Sequence, residues 1–95
     1  MKNDLPESIG KLGYTVGSAT CIAGVGEGTR LFRVEPGNCA DHALDQASEL
    51  LDSVRRASFI GVMENDPVLV WAGYFLGDLA KALMDDAHMG MRKHD

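Results

Sequence analysis

The 95-residue chain is poor in the features that make a small protein a disulfide scaffold, a metal site or a nucleic-acid binder. It has two cysteines, Cys21 and Cys39. Two thiols make no disulfide framework, and a reducing compartment keeps them free. The histidines His42, His88 and His94 are far apart, and no C-x-x-C or H-x-x-x-H spacing occurs, so neither a metal nor another cofactor is expected. Basic charge is in deficit, with nine Lys and Arg against fourteen Asp and Glu and a net charge of -5. Such a chain gains no general phosphate-neutralising free energy, which argues against nucleic acid as a partner. No apolar run approaches bilayer-crossing length, and "MKNDLPESIGKLGYTVG" lacks an apolar signal region. A cytoplasmic protein with no membrane span is expected. The length allows one domain with a small core, and a chain of this size often leans on a partner subunit.

What is present is organised in three parts. Residues 1–28 carry six glycines, with apolar residues scattered among them without helical spacing. Each glycine raises the entropy cost of ordering, so this segment reads as a flexible arm. Its "GVGEGT" lacks the Lys-Ser/Thr of a phosphate-binding loop and the strand-to-helix context. The domain itself should span 29–87, followed by a tail, 88–95, that frays past Gly90. "TRLFRV" reads as a short strand with Arg30, Phe32 and Val34 on one face and Leu31 and Arg33 on the other. Pro36 and Gly37 end it. A lone strand needs a partner, either the arm or the same strand of a second copy.

Two helices follow. The first should run from Cys39 to about Ala57, with Asn38 as N-cap and Asp41 in its first turn. Ala43, Leu44, Ala47, Leu50, Leu51 and Val54 make one apolar stripe, roughly 140° wide at helical spacing. "SFIGVMEN" reads as an apolar connector. The second helix starts at Asp66 as N-cap with Pro67 at its first position, and runs to about Asp86. Its apolar arc is wider. One stripe holds Val68, Trp71, Ala72, Phe75, Leu79, Ala82 and Leu83, of which Trp71 and Phe75 read as core. A second holds Leu69, Gly73, Leu76, Gly77, Ala80 and Met84, and together they cover roughly 220°. One neighbouring helix cannot cover that arc, so the second stripe is expected to mediate self-association. Asp85 and Asp86 present a conflict, since acids near a helix C-terminus are unfavourable. Lys81 relieves it only at Asp85.

The block "LFRVEPGNCADHALDQASELL" together with "WAGYFLGDLAKALMDDA" resembles a family of small bacterial proteins known as domain of unknown function 3077 and common in pseudomonads. The resemblance covers about residues 31–87 and leaves the arm outside. It implies a compact bacterial module acting as a regulator or accessory protein. It carries over no catalytic or binding residue.

The chemistry-bearing cluster is Cys39, Asp41 and His42. His42 lies one turn from Cys39, but it faces the polar side and Asp41 points away from both, so a nucleophile, base and orienting acid do not line up. Cys39 reads as a small apolar residue at a helix start. A thiol enzyme or redox sensor using Cys39 is the remaining enzymatic alternative. Arg30 and Arg33 would be the readers of a ribbon-helix-helix DNA-binding regulator, but they fall on opposite strand faces. The expected architecture is mainly α: a short strand, then an antiparallel two-helix hairpin that dimerises into a four-helix arrangement. The expected function is a non-enzymatic interaction or regulatory module. Asp45, Glu49 and Asp52 on the first helix, with Tyr74 on the second, offer a face to a protein partner.

Overall fold

The computed structural model describes residues 13–94. Two strands, β1 (Thr20–Ala23) and β2 (Arg30–Arg33), precede two helices, α1 (Ala40–Met63) and α2 (Pro67–His94). The strands pair antiparallel, with Thr20 opposite Arg33, Cys21 opposite Phe32 and Ala23 opposite Arg30. The partner of the predicted strand is therefore the preceding segment of the same chain. Residues 13–28, expected to be part of an arm, contribute that strand, while residues 1–12 lie outside the described part. The glycines that suggested an arm supply the turn instead. Gly24 N–H donates to Thr29 O, Thr29 N–H and Oγ1 donate to Gly26 O, and Gly28 takes φ +77°, a conformation L side chains rarely adopt.

Upstream of β1, Tyr14 bridges to Cys39, and Gly13 O accepts from Ala40 N–H. Thr15, buried, joins Asn38 and Glu35: its Oγ1 donates to Glu35 O at 2.7 Å and accepts from Asn38 N–H at 2.9 Å. These bonds shift the helix start. Cys39, not Asn38, is the N-cap of α1, and the Asn38 side chain turns back to Glu35 O. The helix then runs six residues past Ala57, taking most of "SFIGVMEN" with it, and stops where Asn65 adopts φ +55°. The start of α2 is as the sequence predicts, with Asp66 Oδ1 accepting from Val68 N–H at 3.0 Å. Its end is not, because the segment read as a frayed tail is helical to His94. A helix of this length spans about 42 Å, which sets the 47 Å long axis of the molecule.

The two helices pack through small residues. Gly61 is buried where a Cβ would meet Val70 N at 3.0 Å, and Gly73 where one would meet Ser58 Oγ at 2.6 Å. Ala40, Ala43, Ala47, Ala80, Ala82 and Ala87 are buried, and so are both cysteines. Leu44, Leu83 and Met91 pack around this alanine core only partly buried. The largest fully buried side chain is Asp86.

This packing corrects the assignment of the two stripes on α2. Gly73 and Ala80 are buried, and Gly73 faces Ser58 and Val54 of α1. Leu69, Leu76 and Met84, on the same helical face, are half-buried, and a Cβ on Gly77 would meet Val54 Cγ2 at 3.8 Å. The stripe expected to mediate self-association is therefore spent within the chain. Trp71 and Phe75, expected in the core, are exposed, and so is Val68 beside them, which leaves the first half of their stripe open. Small residues decide the outcome, because backbones approach most closely where Gly and Ala line the contact.

Candidate functional site

Three regions carry chemistry or unusual surface. The first is the corner around Cys39. Tyr14, Gly37, Asn38, Cys39, Asp41, His42 and Asp45 line an open cavity of about 380 Å³. Cys39 is buried at its edge and is held by backbone bonds, to Tyr14 as a bridge and to Ala43 N–H through its carbonyl. Cys21, also free and buried, lies between β1 and α2. Burial pushes its thiol up from the usual range, the Asp78 carboxylate adds to this, and Arg30 opposes it. A thiol held protonated is a poor nucleophile. Among the described residues, no group of three or more His, Cys, Asp or Glu is placed to hold a metal ion.

The second region resolves the conflict at the end of α2. Asp86 Oδ2 accepts from Val16 N–H (2.6 Å) and Gly17 N–H (2.9 Å), and Oδ1 accepts from Ser18 (2.8 Å) and Ala19 (2.7 Å). Burial alone would raise this carboxyl, but the four N–H groups outweigh it and hold it below the usual carboxylate range. One α2 turn pair earlier, Asp78 Oδ2 accepts from Ile22 N–H at 2.7 Å. Ile22 has φ +62°, a strained value for a β-branched residue, held in place by this bond and by β2 pairing on either side. Gly90 completes the dock: any Cβ there would overlap the Tyr14 carbonyl. Asp78, Ala82, Asp86 and Gly90 recur at four-residue spacing, so the strand segment lies along the second half of one α2 face. Lys81 pairs with Asp85 at 2.7 Å on the exposed side, as the sequence suggests.

The third region is the uncovered first half of that face. Trp71 is 58% and Phe75 44% exposed, and Tyr74 stands beside them. The three rings pack on one another with centroids 5.5–5.9 Å apart. Phe59, Val62, Met63 and Val68 are exposed around the closed end of the helical hairpin. At ordinary side-chain areas Val68, Trp71, Tyr74 and Phe75 leave on the order of 500 Å² of mostly apolar surface open on α2. Asp45 and Glu49 are exposed as expected, while Asp52 is half-buried and ion-paired to Arg55 and Arg56, both at 3.0 Å. By length and composition alone, Pro67–Lys93 could cross a membrane, which the sequence reading had excluded, and only 17% of its most apolar stretch is buried. The source of that open apolar surface is the first half of α2.

The family model for protein of unknown function DUF3077 matches residues 15–90. The chain belongs to that family. The match is wider than residues 31–87 and takes in the β1–β2 hairpin with the Asp86 dock. The DUF3077 unit is thus hairpin plus helix pair, and residues 15–30 are part of it rather than an appendage. No curated protein and no solved structure matches the chain. The features that sequence reasoning missed are Asp86, Asp78 and Gly90. The one signal present was the unexplained acid near a helix C-terminus.

Proposed function

We propose that this DUF3077 protein is a small non-enzymatic interaction or regulatory module of the cytoplasm that acts as a homodimer and serves a further protein partner. The observation that carries this reading is the open aromatic half-face of α2, set against a core in which alanine is the commonest buried apolar residue. Burying a methyl-sized group stabilises by about 0.8 kcal/mol, against about 1.5–3 kcal/mol for a large apolar side chain. Much of the apolar potential of the chain is therefore unspent in one copy. The open area of about 500 Å² on α2 is more than half of the roughly 800 Å² that one side of a standard interface buries. Trp71, Tyr74 and Phe75 form the kind of pre-packed aromatic cluster that dominates interface energetics. A second copy is the favoured occupant because an uncharged aromatic patch is complementary to itself, and two-fold pairing is the commonest oligomer. A membrane is disfavoured by the net charge of -5 and by Glu64 and Asp66 at the closed end of the hairpin. The DNA-binding alternative is disfavoured by the net charge of -5.

Trp71 is the single tryptophan of the chain and reports on this face directly. On dilution through the dissociation range its emission should shift to the red, and Phe75→Glu should give the red-shifted spectrum at every concentration. Emission independent of concentration and of Phe75→Glu would sink the proposal.

A further inference from the structure

The β1–β2 hairpin has two edges, and among the described residues only one is covered. The outer side of β1 meets α2, where Asp78 takes the Ile22 N–H and Asp86 takes the four N–H groups just upstream. The outer side of β2 has no strand or helix beside it among the described residues. All four β2 residues are exposed, with Leu31 at 63% and Phe32 at 56%. An uncovered edge offers a row of backbone donors and acceptors to an added strand. Beside it runs an open groove of about 330 Å³, its floor made by Phe32 and Val34 with Leu50 of α1 and Leu79, Ala82 and Leu83 of α2, and its rim carrying Arg33 and Glu35.

We infer that the β2 edge and this groove form a docking site for an extended peptide segment of a partner protein, one that alternates apolar and acidic residues. The pleat sets the alternation. Phe32 and Val34 share the strand face that lines the groove, so every second residue of an added strand would lie over an apolar floor. The residues between them would face the side of Leu31 and Arg33. Charge sets their sign: β2 carries Arg30 and Arg33 and no acid, and the acid on the groove, Glu35, lies past the end of the strand. Arg30 Nε already donates to Thr20 Oγ1 at 3.3 Å, which leaves Arg33 as the principal partner for a carboxylate. This site is separate from the α2 half-face, so a dimer would present two of them.

The test uses the full chain, labelled with nitrogen-15, and two synthetic heptapeptides, one alternating valine with glutamate and one alternating valine with lysine. The glutamate peptide should shift the amide resonances of Leu31, Phe32 and Arg33 saturably and bind at least tenfold tighter than the lysine peptide. Methylating alternate peptide nitrogens should abolish the shifts, and Arg33→Glu, an exposed change, should reverse the preference. Equal binding of the two peptides, shifts confined to Val68–Phe75, or no saturable shift of the β2 amides at millimolar peptide would overturn the inference. Sedimentation of the unliganded chain reports on the dimer separately.

Discussion

Replacing Asp86 with Asn removes one charge and one acceptor while keeping the shape. In the wild type each carboxylate oxygen accepts two N–H groups. Whichever way the Asn amide turns, two of those donors keep a neutral oxygen and two face an NH2 group. Charge-assisted bonds are about twice as strong as neutral ones, and an unmet buried donor costs about 1–3 kcal/mol. The expected loss is therefore about 3–5 kcal/mol, well above the roughly 0.3–1 kcal/mol by which an acid is disfavoured at a helix C-terminus. It stops short of that only if residues 16–19 leave α2 and take water as their acceptor. Urea unfolding gives the global term, and amide hydrogen exchange at Val16–Ala19 separates undocking from unfolding. Acid titration supplies a second reading. The folded carboxyl lies below its unfolded value of about 3.9. Its stabilisation is fully present above that unfolded value and is lost as pH falls through the folded one. Asp86→Asn should remove this contribution to the acid limb of the stability profile. A loss below about 1 kcal/mol, with exchange at residues 16–19 unchanged, would refute the reasoning.

Other substitutions test the packing. Gly90→Ala should destabilise by about 1–3 kcal/mol or more in thermal unfolding, because the added Cβ meets the Tyr14 backbone. Gly77→Ala, whose Cβ has only Val54 Cγ2 at 3.8 Å, should be neutral or stabilise by up to about 1 kcal/mol. If both changes had the same sign and size, the dock along α2 would be misplaced. Cys21, with its thiol held protonated, should resist alkylation near neutral pH in the native protein and react on adding denaturant.

The parts legible in the sequence are those that local rules decide. Asp66 and Pro67 start α2 as capping chemistry requires, and β2 lies within "TRLFRV", which Pro36 and Gly37 close off. Periodicity gave the width of the apolar arc on α2 but not which neighbour covers each stripe. That choice depends on how closely Gly61, Gly73 and Ala80 let the helices approach, which is a tertiary property. The glycines of residues 13–28 read as disorder because much of what orders that segment is long-range. The N–H groups of Val16, Gly17, Ser18 and Ala19 are met by the side chain of Asp86, about seventy residues on. Asp86 looked like a local fault of α2, and it is the residue around which the hairpin docks. Asn38 lost its expected capping role for the same reason, since Tyr14 and Thr15 engage this corner first.

The central claim is that the open half-face of α2 is covered by a second copy. Sedimentation equilibrium of the full chain over a wide dilution series tests it most directly. The account predicts twice the chain mass at high concentration, dissociation on dilution, and a monomer at all concentrations for Trp71→Glu. A wild-type chain that stays monomeric throughout, or a Trp71→Glu variant that dimerises as tightly as the wild type, would contradict it.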